Sequence, residues 1–287
     1  MIDKNILQIH FSRNAESYDS YAKVQKKMAR ELLSMIKSDV KESIGKLDIL
    51  DIGCGTGHLT GELLALYPDS RITAVDIAPG MIEYARRKFI KSGVEFICMD
   101  IEEAVIDKQY DLIISNATFQ WFNNFEETLL KLGRLLKNDG VLAFSTFGHM
   151  TFNELQQSYE IACKKLKIDV ANPPSQKFYR PDEVFNVCKK SLEAEEACSF
   201  EIAKKDFLEY EYFNCVKEFL DSVKKIGANN SNKSHKPNIA LTKEMIATYD
   251  DIHKVNGLVK ATYHCIFVEV RKIPMDVKCG KQVTFIA

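Results

Sequence analysis

Between residues 46 and 147 the chain alternates short continuous apolar runs with longer stretches whose apolar positions recur every three or four residues. The runs "KLDILDIG" at 46–53, "RITAVDI" at 71–77, "VEFICMD" at 94–100, "YDLIISN" at 110–116 and "GVLAFSTF" at 140–147 predict strands. The stretches between them predict helices near 57–66, 79–90 and 125–137. Unbroken apolar strands separated by helices belong to a parallel sheet covered on both faces, so the pattern predicts a doubly wound α/β fold.

Beyond residue 150 the rhythm changes to helical periods with fewer strands. "TFNELQQSYEIACKKL", "RPDEVFNVCKKS" and "YFNCVKEFLDSVKKIG" read as helices, and "EAEEACSFEIAKKD" alternates polar with apolar residues. These segments are expected to lie over one edge of the sheet. "ANNSNKSHKPN" at 228–238 has the composition of a loop, a last helix is expected near 242–254, and "LVKATYHCIFVEVRK" at 258–272 is long and β-branched enough for a closing strand.

Composition narrows the picture. At 287 residues and 46% hydrophobic the chain can bury a full core, and the pattern favours one compact unit. Thirty-nine basic residues against forty acidic ones give a net charge of −1, which supplies no global field for nucleic acid or an anionic membrane. The first 38 residues do carry a small basic excess on an amphipathic segment, a solvated helix face or a docking patch. Eight cysteines include no C-x-x-C pair, and no spacing suits a metal; reduced thiols, and with them a cytoplasmic protein, are the expectation. No run approaches the roughly 20 apolar residues of a membrane span, and charges interrupt the N-terminal apolar run too often for a signal peptide.

The candidate chemistry begins at "ILDIGCGTGHLT", where glycines 53, 55 and 57 follow a strand and open a helix. Such a turn lets the backbone approach a ligand closely. A dinucleotide fingerprint needs its third glycine at 58, which is His58 here. Asp51, Asp76 and Asp100 stand at the ends of successive strands, where ligands of open α/β sheets bind. Asp76 can accept from both hydroxyls of a ribose, Asp100 from an exocyclic amine, and Asp51 favours a cationic ligand over a phosphate. Taken singly, each is equally a helix cap or a surface charge.

The ordered stretches "ILDIGCGTGHLT", "VDIAPGMIEYAR", "CMDIEE", "YDLIISNATFQWF" and "LLKNDGVLAFSTF" resemble the class I S-adenosylmethionine-dependent methyltransferases. The resemblance implies a Rossmann-like, mostly parallel seven-stranded sheet with added helices over the active site, S-adenosylmethionine as cofactor and no metal. It assigns Asp51, Gly53, Gly55 and Gly57 to the methionine part, with Cys54 also binding the cofactor, Asp76 to the ribose, Ile77 and Met81 to the adenine face, Asp100 and Ile101 to its edge, and Asn116 to the rim near the sulfonium. Gln120 is placed with the cofactor-binding residues, although it and Trp121 could equally pack the core, which is the favoured place for the large Trp121 ring. On this reading residues 1–40 form a helical lid, 46–147 the cofactor core, 150–240 substrate-side insertions and 242–272 the closing helix and strand, all in one domain over 1–287.

Within that class, "FSRNAESYDSYAKVQKKMARELL", "SNATFQWF" and "FSTFGHMTFNELQQSY" resemble the malonyl-[acyl-carrier protein] O-methyltransferases of early biotin synthesis. That resemblance implies a free carboxylate on a malonyl thioester as acceptor, carried by acyl carrier protein or coenzyme A. It points to Tyr18, His149 and Arg180 for malonyl recognition. Each has a plainer alternative: a core tyrosine, a turn histidine, and an arginine that merely precedes Pro181 at a helix start. An acidic carrier would give Lys4, Arg13, Lys23, Lys26 and Lys27 a docking role. A small-molecule carboxyl methyltransferase, for example one acting on trans-aconitate, and a quinone or phenol methyltransferase with His149 as general base stay open, as does a non-catalytic cofactor-binding module.

Overall fold

The computed structural model describes residues 1–36, 46–170, 173–193, 198–228, 238–274 and 285–286. Most of the expected 228–238 loop, the end of the expected 1–40 lid and Cys279 lie outside the described residues. The first three parallel strands, β1 (Asp48–Ile52), β2 (Arg71–Asp76) and β3 (Glu95–Cys98), are joined by helices α3 (His58–Leu66) and α4 (Pro79–Lys88). β4 (Tyr110–Ser115) and β5 (Leu136–Phe147) flank α5 (Phe125–Arg134) and extend the sheet from the other side of β1. All five residues of β1 are buried, as a strand covered on both faces requires.

The chain then adds α6 (Asn153–Leu166), α7 (Pro181–Glu193), β6 (Ser199–Phe213), α8 (Val216–Lys225), α9 (Ile239–Ile252), β7 (Lys254–Val255), β8 (Leu258–Ile273) and β9 (Phe285–Ile286). The sheet order is β3-β2-β1-β4-β5-β8-β6-β9, with the two-residue β7 pairing β8. The seven longer strands form the expected mostly parallel sheet; β8 runs antiparallel between β5 and β6. The order reverses between β1 and β4, which places the crevice of the fold at the carboxyl ends of these two strands.

Three expectations change. The alternating segment continues as a 15-residue strand through Phe213, so the helix begins at Val216 and not at Tyr212. Residues from Leu136, where the strand pairs with Tyr110, belong to β5 and not to the preceding helix. The added elements also cover both faces of the sheet instead of one edge. Core residues of α6, α8 and α9 pack with β5 and β8 on one face, and those of α7 pack with α5 on the other. A strand as long and buried as β8 needs cover on both sides.

N-terminal to the sheet, α1 (Lys4–Tyr21) and α2 (Lys23–Ile36) form a two-helix roof. Asp3 caps α1 by accepting from the Asn5 and Ile6 amides. Its partner α2 buries Val24, Gln25, Met28, Ala29, Leu32, Leu33 and Ile36. Gly80 lets α1 sit directly on α4: a Cβ there would stand 2.6 Å from the Ser12 carbonyl oxygen. The seven described cysteines are all free, and no described helix is long and apolar enough to cross a membrane.

Candidate active site

At the end of β1 the chain reverses through Gly53, Gly55 and Gly57, all at positive φ. Two of these glycines are demanded by geometry. A side chain at Gly53 would overlap Thr118 and one at Gly57 would stand 2.6 Å from the Phe89 ring, whereas a Cβ at Gly55 would meet nothing within 4 Å, because that backbone faces open space. The Gly55 amide donates to Asp76 Oδ2 at 2.9 Å, and the Ala78 amide donates to Oδ1 at 2.8 Å. Each carboxylate oxygen therefore keeps accepting capacity for a ligand hydroxyl. Burial pushes the Asp76 pKa up to about 6 despite these two hydrogen bonds.

Asp51 is more deeply placed. Thr60 donates to its Oδ2 at 2.6 Å, while Oδ1 is buried with no hydrogen-bond partner among the described residues. Burial, reinforced by the charge of Asp76, pushes its pKa up to about 7. An orphaned buried acceptor of this kind fits a ligand that brings positive charge. Asp100 is held by Lys4 at 3.4 Å, and Lys4 also pairs with Glu102.

Three cavities adjoin these residues. The first, of about 640 Å³, is lined by Asp76, Ile77, Met81, Asp100 and Ile101 on the sheet side and roofed by Leu7, Phe11 and Tyr18 of α1. A second, of about 400 Å³, holds Asp51, Gly53, Cys54, Gly55 and His58. The third is the largest, about 1410 Å³, and mostly apolar: Phe147, Phe152, Phe178, Phe219 and Leu220 line it together with Gln120 and Gln176. Tyr18 lines all three. Burial, and then the charges of Asp76 and Asp19, raise its phenol pKa well above the ordinary value, so the hydroxyl stays a donor.

Residues 50–144 match the family model described as "Methyltransferase domain". Over 272 residues the chain is 64% identical to the malonyl-[acyl-carrier protein] O-methyltransferase of Acetivibrio thermocellus, covering 95% of each chain. Against the enzyme of the same name from Priestia megaterium it is 42% identical over 95% of this chain and 99% of that one. The chain belongs to the malonyl-[acyl-carrier protein] O-methyltransferase family. Its fold is shared with the YcgJ protein from Bacillus subtilis, at a TM-score of 0.56 and 17% identity over 85% of this chain and 98% of that one. It is shared too with the plantazolicin methyltransferase BpumL, solved with SAH and a pentazolic desmethylPZN analog, at a TM-score of 0.52 and 15% identity over 94% of this chain and 98% of that one.

Of the residues that the family resemblance pointed to, Asp51, Gly53, Cys54, Gly55, Asp76, Ile77, Met81, Asp100, Ile101, Asn116 and Gln120 all line one of the three cavities. Gly57 lines none of them; it opens α3 in the left-handed region with its amide on the Cys54 carbonyl. Asn116 is locked: its Oδ1 accepts from Ser145 Oγ, and its Nδ2 donates to the Gln25 carbonyl. Gln120 is held likewise, between Thr146 and the Ala117 carbonyl.

His149 and Arg180 are not brought to Tyr18, and neither lines any of these cavities. After Gly148 the chain turns His149 onto the ring of His264, 5.2 Å between centroids, and its amide donates to the Tyr179 carbonyl. Burial, then His264 and Arg180, hold its imidazole pKa below the usual value. Arg180 is exposed at the start of α7, where its amide donates to the Glu183 carboxylate at 2.7 Å. For both, the plainer reading is the one the geometry fits. Similarly, Lys4 and Lys27 are occupied in ion pairs with Asp100, Glu102 and Glu209, and Lys26 donates to the Asp19 carbonyl.

Sequence reasoning missed Leu7, Phe11 and Gln25, which line the cavities from the roof helices. For Gln25 a signal exists. It shares the buried stripe of α2 with Met28, Ala29 and Leu32, at three-, four- and seven-residue spacing. Trp121, with a core or a pocket role open, lines two cavities and meets Phe11 edge to face at 5.7 Å. Among the described residues no group of three or more potential ligands could hold a metal ion.

Proposed function

We propose that the protein transfers a methyl group from S-adenosylmethionine to the free carboxylate of a malonyl thioester carried by acyl carrier protein. The observation that carries the reading is the position of Tyr18, at the meeting point of a ribose-type cavity, an acid-lined cavity and a large apolar one. Family membership supports the same acceptor, because the relatives are named for it.

The residues fit the cofactor. Asp76 would accept from the ribose hydroxyls, Ile77, Met81 and Ile101 would enclose the adenine, Asp100 would take its exocyclic amine, and Asp51 would face the ammonium-bearing end. S-adenosylmethionine supplies an electrophilic methyl on a sulfonium: a carboxylate oxygen forms the new C–O bond as the C–S bond breaks, giving a neutral ester and a neutral thioether.

The acceptor is already an anion at neutral pH, so no side chain has to remove a proton. What remains for the chain is to orient the carboxylate and exclude water. Tyr18 would donate to the carboxylate; α1 and α2 would act as the roof of a single domain that closes off solvent. A phenol or quinone acceptor is less well supported, since His149, the general base it would use, lines none of the three cavities. A small polar carboxylate such as trans-aconitate has no use for the apolar cavity lined by Phe147, Phe152, Phe178 and Phe219, whereas a thioester with its pantetheine arm can lie along it.

The test is transfer of labelled methyl to malonyl-carrier protein beside acetyl-carrier protein. Methylation of the malonyl form alone is expected. Equal transfer to both, or transfer to neither, overturns the reading.

A further inference from the structure

Gln25, on α2, lines two of the three cavities. The residue is only 8% exposed on the apolar stripe of α2, yet no described residue hydrogen-bonds its carboxamide. Its main chain, by contrast, is fixed: the Gln25 carbonyl accepts from Asn116 Nδ2 at 2.9 Å, and Asn116 Oδ1 accepts from Ser145 Oγ at 2.8 Å. That network ties the start of α2 to the ends of β4 and β5 and leaves the amide available to a ligand.

The amide stands where two cavities meet. Among the described residues, only Tyr18 and Gln25 line both the acid-lined cavity with Asp51 and the large apolar cavity. An acceptor entering from the apolar side would therefore meet a phenol and an amide together.

Charge around the cavities points the same way. No arginine lines any of the three. Lys4 is paired with Asp100 and Glu102, and Lys26 donates to the Asp19 carbonyl. Lys224 stands two-thirds exposed beside Asp221. Where the two cavities meet, a carboxylate thus finds the neutral donors Tyr18 and Gln25, while the ammonium of Lys26 donates to the Asp19 carbonyl and that of Lys224 lies beside Asp221.

Resting on the malonyl thioester reading, we infer that Gln25 is a second acceptor-binding residue, its Nε2–H donating to the malonyl carboxylate beside the Tyr18 hydroxyl. Neutral donors orient the anion and leave its charge uncompensated. A guanidinium in the same place would draw off the electron density that makes the oxygen a nucleophile. A cationic ligand in the neighbouring cavity adds counter-charge next to these neutral donors, so acceptor binding is tighter when that ligand is cationic.

The experiment is calorimetric titration of malonyl-pantetheine into the protein loaded with sinefungin, which carries an ammonium group, or with neutral S-adenosylhomocysteine. Wild type is expected to bind malonyl-pantetheine at least tenfold more tightly beside sinefungin. Gln25→Leu keeps the apolar stripe intact and should weaken that binding roughly tenfold or more, the usual scale for a lost hydrogen bond to a charged group. Sinefungin affinity and melting temperature should stay within about twofold and a few degrees of wild type, as for a side chain that no described residue bonds. Gln25→Glu should bind worse at pH 8 than at pH 5.5, where protonation relieves the repulsion between carboxylates. Malonyl binding to Gln25→Leu within twofold of wild type, or a parallel loss of sinefungin binding, overturns the assignment. No malonyl-pantetheine binding to wild type with either ligand would instead overturn the substrate reading on which it rests.

Discussion

Asp51 and Asp76 hold protons more tightly than ordinary carboxyls, Asp51 up to about 7 and Asp76 up to about 6, chiefly because burial penalises their charged forms. Their pKa values are raised on folding, so between the ordinary carboxyl range and about 7 the folded state binds more protons than the unfolded chain. The contribution of these two groups to stability is therefore greatest at acid pH and falls as pH rises through that window. A cationic ligand with ribose hydroxyls has the opposite preference, since it needs both carboxylates ionised. Affinity for S-adenosylmethionine should rise on the order of a hundredfold from pH 5.5 to 7.5, roughly 25-fold from ionising Asp51 and about fourfold from ionising Asp76. Calorimetry at pH 6 in two buffers of different ionisation enthalpy should register proton release on binding. A flat affinity with no proton release would show that neither carboxylate is charged by the ligand. These two acids were legible in the sequence because the end of a parallel strand is a fixed place in the fold. Gln25 was not, because a single amide on an amphipathic helix has no such address until α2 is placed over the sheet.

The roof helix α1 is fastened at several points along its length. Lys4 reaches Asp100 and Glu102, Ser12 Oγ accepts from the Gly80 amide at 3.1 Å, Ser17 Oγ donates to the Lys225 carbonyl at 2.9 Å, and Thr56 donates to Asp19 at 2.6 Å. The closest approach is at Gly80, where an added Cβ would meet Ser12 main-chain atoms at 2.6 and 2.7 Å, and backbone cannot rotate away as a side chain can. Gly80→Ala should push α1 off α4 at a cost on the order of 1–3 kcal/mol, read as roughly tenfold weaker binding of S-adenosylhomocysteine. Limited proteolysis within residues 4–21 should quicken while the sheet melts within a few degrees of wild type. Unchanged affinity and unchanged cleavage would mean that α1 is not the roof of the bound state. Most of the parallel sheet could be read in advance because its apolar runs are unbroken. β6 was harder: Lys204, Lys205 and Asp206 interrupt it, and its outer residues are exposed at the margin of the sheet. The same limit applies to His149 and Arg180, which follow recognisable segments but line none of the three cavities. Which way each faces is set by β8 and α7, and nothing local in "FGHM" or "YRPD" encodes that.

Across the whole molecule the net charge of −1 leaves recognition of an acidic carrier to local patches. The basic excess of the first two helices is smaller in the folded protein than in the sequence, since Lys4 and Lys27 are committed to internal carboxylates. Arg13 and Lys23 are exposed and enter no ion pair among the described residues. At the end of α8, Lys224 and Lys225 add positive charge beside the large cavity, and the Ser17 hydrogen bond to the Lys225 carbonyl joins that corner to α1. Of the five cations of the amphipathic segment, Arg13 and Lys23 are therefore the ones to vary in a test of carrier docking. Rim charges act mainly on encounter and register, so the double variant Arg13→Glu, Lys23→Glu should raise KM for malonyl-carrier protein roughly five- to tenfold with kcat nearly unchanged. The defect should shrink as salt rises toward 0.5 M, where the screening length falls to about 4 Å. With malonyl-pantetheine, which has no carrier surface to dock, the same variant should match wild type. An equal rise in KM for both substrates would place these charges in the catalytic site, and no rise for either would leave the carrier to be recognised through its prosthetic arm alone.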